Sequence, residues 1–427
     1  MDTVDVLIVG GGIAGIYSGI ELLKKTPSLS ILLIEKYNYL GGRVVSFKKD
    51  ISNVGEVLWE NGAGRIHDSN ILVHKLLKKY NLKTAPINTN MQFIDLGKNI
   101  KESAQFEELC RVYLGPLQDL PREILQNYTL YNLCKELYGI KETQSLFDRF
   151  PYYTEVYILR ADIALKQFID EKNPGIMGTR DGFTVCIEGL SELIKRMADD
   201  FTRRGGTIIK KCTLLNIYND KKGLHAIISE NNIKKELHAS KIICALHSTA
   251  LKTIPAFDNW VPLKHLIMTP LTRIYMVFPP NSSGEVWFSN IPKTVTTNEL
   301  RYIIPINAAK GIIMVSYTDG EFTVPYSKDA VYNKPLDGLS KRIITQLRKV
   351  FPDVTIPAPL FIKAHPWSEG TTAWTPGAYD AEEMSANSCY GPLKNVYVCG
   401  ESFSLMQAWM EGAVQQAEKM LKIIKIK

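Results

Sequence analysis

Val4-Asp5-Val6-Leu7-Ile8-Val9-Gly10-Gly11-Gly12-Ile13-Ala14-Gly15 is the stretch whose reading decides the fold. Val4 to Val9 is an almost wholly apolar run, the pattern of a parallel strand buried on both faces. A glycine loop follows. Ile16 to Lys25 then takes up helical periodicity until Pro27 stops it. Ile31 to Ile34 is a second apolar run, ending at Glu35. Strand, helix and strand make a βαβ unit in roughly 35 residues.

Gly10-x-Gly12-x-x-Gly15 carries chemistry in that setting. Gly10 permits the tight turn, Gly12 lets a pyrophosphate approach the backbone, and Gly15 lets the helix pack on the strand. Ile13 and Ala14 open the helix, whose free N–H groups face the phosphates. Glu35 is placed to accept hydrogen bonds from an adenosine ribose, and Lys36 follows it. Leu40-Gly41-Gly42-Arg43 adds close backbone approach at Gly42 and a cation for a phosphate at Arg43. Near the other end, Val396-Tyr397-Val398-Cys399 runs into Gly400-Glu401, with Glu401 able to take a ribityl hydroxyl. Ala408 to Ile424 reads as a helix whose N-terminus suits a reduced flavin ring. Together these make the dinucleotide FAD.

Between the two ends the pattern changes. Ile71 to Tyr80 has helical spacing, and further helix-like stretches with scattered aromatics continue to about Met177. Leu190, Leu193, Ile194 and Met197 share one helix face. Strands are expected at 207–210, 214–218, 224–228, 241–245, 273–278, 301–304 and 312–317, and a helix at 336–349. Nucleotide-binding pieces therefore alternate with another kind of segment. The domain reading is 1–75, 180–262 and 362–427 for FAD, and 76–179 with 263–361 for substrate.

Composition is that of a globular chain of 427 residues, 45% hydrophobic and 22% charged. The net charge of +7 is spread over many lysines, with no dense basic run carrying aromatics. It reads as a solvated face, and no nucleic-acid partner is expected. Seven cysteines without CxxC spacing argue against a disulfide framework or structural zinc. No metal constellation is found among the dispersed histidines. No signal peptide and no apolar run of spanning length are present, so a cytoplasmic protein without membrane attachment is expected. A homodimer is compatible with the chain.

VDVLIVGGGIAGI, IEKYNYLGGRV, WENGAGRIHD, GTTAWTPGAY and VYVCGESFSLMQAWMEGAV, in this order, resemble the flavin-containing amine oxidases: monoamine, polyamine and L-amino-acid oxidases. The resemblance implies an α/β fold, α+β overall. An FAD-binding Rossmann-like domain of the glutathione-reductase type is interleaved with a mixed-sheet and helical substrate domain. It implies two aromatic rings over the flavin face, which fall at Trp374 and Trp409. Ala373 stands where monoamine oxidases carry their flavin-linked cysteine, so the FAD is expected to be noncovalent. Further cofactor contacts are implied at Gly62, Ala63, Gly64, Arg65, Leu214, Met410 and Ala413. Arg65 also matches the arginine that takes the substrate carboxylate in amino-acid oxidases, a role suited to a planar guanidinium. A pairing of Arg65 with an internal acid or a flavin phosphate stays open. Arg273 stands where the family carries a lysine holding a water at the flavin. The monoamine-oxidase membrane tail is not expected after Lys427.

The expected reaction moves a hydride from the α-carbon of an amine or L-amino acid to flavin N5. The imine then hydrolyses to a carbonyl compound and ammonia or an amine, and O2 leaves as hydrogen peroxide. A polyamine or monoamine substrate is the alternative. A polyamine tunnel would need acids, and Glu102, Glu107, Glu108, Asp119 and Asp148 are not placeable from sequence. Desaturase-type dehydrogenases and a noncatalytic FAD-binding scaffold are the remaining readings.

Overall fold

A computed structural model describes residues 3–103, 106–170, 173–326 and 337–426. Its first sheet has seven strands built around Thr3–Val9. On one side lie Ile31–Glu35 and then Thr207–Lys210, both parallel to their neighbours. On the other side Ile233–Cys244 is parallel to Thr3–Val9 and carries Val396–Val398 beside its second half. Gly223–Glu230 and Cys212–Asp220 continue from it as an antiparallel meander.

The central strands are buried on both faces, which is why they read as unbroken apolar runs. Val6, Ile8, Leu33 and Ile243 face the helices Ile13–Lys25, Leu190–Arg203 and Met410–Ile423. Leu7, Val9, Leu32 and Ile34 face a second core that also holds the helices Leu130–Tyr138 and Ala161–Phe168. Met410–Ile423 is the last helix, and it packs on the first. It begins at Met410 rather than at the expected Ala408, because Ala408 sits at φ +65, in the left-handed region that a right-handed helix does not use.

The second sheet also has seven strands. In order they are Phe361–Trp374, Leu266–Val277, Ile312–Asp319, Tyr302–Asn307, Lys293–Thr296, Met91–Asp95 and Ile100–Ser103. Neighbours are antiparallel except Lys293–Thr296 beside Met91–Asp95. The helix Asp337–Val350 covers one face, burying Leu339, Ile343, Leu347 and Val350 against Ile274, Met276, Ile313 and Val315. Its expected first residue, Leu336, lies outside the described residues.

Two expectations change here. Residues 84–103, read with the helix-like middle, form the strands Thr84–Pro86, Met91–Asp95 and Ile100–Ser103. Residues from 362 on were grouped with the FAD segments, but Phe361–Trp374 hydrogen-bonds along Leu266–Val277. Its register shifts at Thr269/Leu271, where a Cβ on Gly370 would stand 2.4 Å from Leu271 Cβ. A glycine is needed there for the two strands to meet.

Candidate functional site

The glycine loop divides into residues the fold requires and residues it does not. A Cβ on Gly15 would stand 2.1 Å from Gly10 O, so the helix can lie this close to the turn only with glycine there. Gly10 itself adopts φ +107. Gly12 is different. Its φ is −76, and a Cβ there would meet nothing nearer than Gly41 O at 3.9 Å. A Cβ on Gly42 would find only Gly12 Cα at 3.9 Å, and one on Gly400 only Leu246 O at 3.8 Å. Three glycines from three distant segments thus leave open space that side chains would fill. The helix beginning at Ile13 has no side-chain cap and no acid in its first turn, so its leading N–H groups are free for an anion. These features fit a bound dinucleotide.

Glu35 is buried at the end of its strand and accepts the N–H of Gly11 at 2.7 Å and of Tyr37 at 2.9 Å. It orders the loop through these two bonds. Lys36 is exposed beside the Tyr37 ring. Arg43 and Glu401, expected on a phosphate and a ribityl hydroxyl, are given to one another. Arg43 Nη2 donates to Glu401 Oε2 at 2.6 Å and Nη1 to Gly370 O at 3.1 Å. Glu401 also accepts from Ala408 N–H at 2.6 Å and from Thr372 Oγ1 at 3.2 Å. This pair ties residue 43 to residue 401 beside the open glycines. Ile13, Ala14, Leu214, Met410 and Ala413 are buried apolar positions of the two cores around the first sheet.

Gly62 and Gly64 are held by close approach. A Cβ on Gly62 would lie 2.0 Å from Arg43 O, and one on Gly64 3.0 Å from Glu60 Cβ. Ala63 donates its N–H to Arg43 O at 3.0 Å. This turn delivers Arg65 into an aromatic pocket. Its guanidinium lies 5.1 Å from the Phe183 ring, 5.6 Å from Tyr152 and 5.7 Å from Trp409. Burial works against its charge, yet the oxygens of Tyr152, Tyr302 and Tyr317 hold its pKa above the ordinary arginine value. No ion pair to a carboxylate is formed by Arg65 among the described residues. Glu155 is the acid that acts on it. Burial, then the neighbouring Asp319, holds the Glu155 carboxyl well above the usual carboxylate range, which weakens it as a counter-ion for Arg65.

Trp409 is 7% exposed, stacks on Phe183 with ring centroids 6.1 Å apart, and its buried indole N–H has no partner. Trp374 does not match its expected role. It is 0% exposed, its indole N–H donates to Ser404 O at 3.0 Å, and it packs with Phe403 and Ala373. A ring lining a cavity keeps some accessible surface, and this one keeps none. The ring stacked on Trp409 is Phe183, which the sequence did not single out. His67 lies against that ring, 4.9 Å between centroids.

Arg273 donates from Nη1 to Glu60 O at 3.2 Å and lies 5.1 Å over the Tyr317 ring, while its buried Nε has no partner. Glu60 accepts from Leu190 N–H and Ser46 Oγ, each at 2.8 Å, and burial pushes it up to about 7. The middle acids are engaged elsewhere: Glu102 by Arg149 at 2.8 Å, Glu107 by Arg180 at 2.9 Å and Glu108 by Arg111 at 2.6 Å. The fold also gathers His225, Glu236 and His238, with ligand atoms within 4.8 Å of one another, although no metal group was read from the sequence. Both ring nitrogens of His225 are already taken, by Glu236 at 2.5 Å and Asp220 at 2.8 Å.

Comparison with known proteins bears on the fold and the family. Over 98% of its length the chain is 23% identical to an uncharacterized protein of Acanthamoeba polyphaga mimivirus, covering 93% of that protein. It is 36% identical to an FAD-dependent oxidoreductase of Emericella nidulans over 28% of the chain and 24% of that protein. Cyclohexylamine oxidase from Brevibacterium oxydans superposes with a TM-score of 0.72 at 18% identity, over 99% of this chain and 98% of that one. An engineered putrescine oxidase superposes with a TM-score of 0.72 at 14% identity, over 98% of each chain. The profile of the flavin-containing amine oxidoreductases matches residues 13–420, so the chain belongs to that family and its cofactor is FAD.

Proposed function

We propose that the protein is an amino-acid oxidase in which Arg65 binds the substrate carboxylate. The observation that carries this reading is the guanidinium of Arg65, free of any carboxylate partner among the described residues and set against Trp409 and Phe183. A cation buried without a counter-ion is costly, and a carboxylate ligand removes that cost. A planar guanidinium also fixes the substrate in orientation through two parallel hydrogen bonds. Trp409 and Phe183 keep water from the reacting carbon. The FAD, held noncovalently along Gly12, Gly42 and Gly400 with Glu35 at the ribose, supplies the two-electron oxidation of the amine carbon. The substrate imine hydrolyses to an oxo acid and ammonia, and the electrons leave on O2 as hydrogen peroxide. Arg273 holds the Gly62–Gly64 turn through Glu60 O and so positions Arg65. Seven free, buried cysteines support a reducing, cytoplasmic setting.

Plain amines are the second reading, favoured by the names of the two superposed enzymes. The engagement of Glu102, Glu107 and Glu108 by arginines speaks against an acid-lined polyamine tunnel. A peroxide-coupled screen of L-amino acids, monoamines and polyamines separates the two. Arg65→Ala is expected to lower kcat/KM for the preferred amino acid by about 10–100-fold, the worth of a hydrogen bond to a charged group. An unchanged KM in that variant, or turnover of amines alone, ends the carboxylate assignment.

A further inference from the structure

The sheet beneath the Arg65 pocket carries a second cation. Arg273 pairs directly with Tyr317, Tyr317 with Tyr302, and Tyr302 with Val295. Directly paired residues share a face, so these four form one cross-strand row. Lys293 precedes Val295 by two residues, and the pleat puts it on that same face. This is the face turned to Arg65, because Tyr302 and Tyr317 both act on its guanidinium.

Lys293 is half-buried, and its ammonium makes no ion pair and no hydrogen bond among the described residues. The acids that act on it are Glu107, already bonded by Arg180, and Asp181. Burial, then Arg65 and Arg180, pushes its pKa down to about 8. The fold gains no contact from this charge, and lysines are seldom desolvated without one. Beyond the strand end a surface groove opens, lined by Asn90, Arg180 and Asn290.

We propose that Lys293 and Arg65 are two anion-binding points on one face of this sheet, so that the amino acid oxidised carries a second carboxylate on its side chain. This rests on the assignment of the first carboxylate to Arg65. An acidic side chain satisfies Lys293, whereas the amide of the same shape leaves its charge desolvated and unpaired.

The test uses the FAD-loaded full chain in two arms. The first compares kcat/KM for L-glutamate with L-glutamine, and for L-aspartate with L-asparagine. The acid is expected to exceed its amide at least about tenfold, the ratio is expected to collapse toward one in Lys293→Met, and Lys293→Arg is expected to restore it. Amides that match acids in the native protein, or a ratio unmoved by Lys293→Met, overturn the proposal. The second arm titrates glutarate and its monoamide, following flavin absorbance, and needs no turnover. Binding of glutarate that Lys293→Met abolishes, in a protein that oxidises no amino acid, keeps the subsite and removes the amino-acid reading. Equal binding of glutarate and its monoamide removes the subsite whatever the screen shows.

Discussion

A missing side chain does different work at Gly15 and Gly12. At Gly15 a Cβ would collide with Gly10 O at 2.1 Å, and the atom it meets is backbone. Gly15→Ala is therefore expected to disturb folding itself, read as loss of soluble protein or a lowered Tm. At Gly12 the backbone suits alanine and the space is open. Gly12→Ala is expected to fold with a native circular-dichroism spectrum and to lose FAD by at least about tenfold in Kd. A Gly12→Ala protein that retains full flavin content removes the pyrophosphate from that loop. The Arg65 pocket makes a pH prediction. Lys293 is charged below about 8 and neutral above it, and the charges facing it are Arg65, Arg180, Glu107 and Asp181. The Glu155 carboxyl, held above the usual carboxylate range by burial and Asp319, ionises as pH rises and then offers Arg65 a competing carboxylate. Both changes weaken anion binding as pH rises, so Ki for an amine-free carboxylate is expected to increase above pH 8. A flat Ki between pH 7 and 9.5 contradicts this. Arg65 was legible because it follows a G-x-G turn inside a family stretch. Tyr152, Phe183, Tyr302, Tyr317 and Lys293 were not. They sit on separate segments where an aromatic or a lysine looks like ordinary core or surface; register in the second sheet aligns Tyr302, Tyr317 and Lys293, and only the tertiary fold adds Tyr152 and Phe183.

Elements show the same division between chemistry and support. Trp409-Met410-Glu411-Gly412 drew attention as a flavin-side motif, yet Glu411 works on a different helix. Its carboxylate accepts the N–H of Leu72 at 3.0 Å and of Val73 at 2.9 Å. Those groups open the helix Ile71–Lys79, whose own N-cap residue, Asn70, supplies no side-chain bond. A carboxylate from residue 411 thus caps a helix 339 residues earlier in the chain, where the dipole favours negative charge. Glu411→Ala strands one buried and one half-buried donor and is expected to cost about 1–3 kcal/mol, read as a lower denaturant midpoint at unchanged slope. An unchanged midpoint means the cap is dispensable. The long amphipathic helices were legible from periodicity, Leu190–Arg203 above all. The strands between 84 and 103 were not, because each has five residues or fewer, too short for a period to establish itself. Phe361–Trp374 was hidden for another reason. Pro366 and Gly370 interrupt it, and both residues count against a strand until the bulge opposite is known.

At the scale of the whole molecule, the proposed FAD track joins segments that the chain keeps far apart. Gly12 lies inside the first βαβ unit, Gly42 in the loop just after it, and Gly400 just beyond the last strand. The ion pair Arg43–Glu401 spans the same junction. The interleaving was legible because matching motifs stand at both ends, while the pairing order of the second sheet carries no motif and appears only in the fold. A ligand bound along this junction couples the N-terminal and C-terminal parts, and its binding energy becomes folding energy. At a free FAD concentration of 100 Kd that linkage is worth about 2.7 kcal/mol. For a chain of 427 residues it corresponds to a Tm increase on the order of 3 °C, using about 2.1 cal/mol/K of unfolding entropy per residue. Acid precipitation should release the flavin quantitatively, since Ala373 offers no thiol for a covalent bond. Protein stripped of FAD under milder conditions should melt lower, recover its Tm on adding FAD, and lose amide protection in residues 3–45 and 396–420 together. Gly12→Ala should show a smaller gap between the FAD-free and FAD-saturated Tm than the native chain. A stripped protein that melts at the holoprotein temperature, or that loses protection at only one end, shows that the two ends are held by their own packing and that FAD is a passenger in the fold.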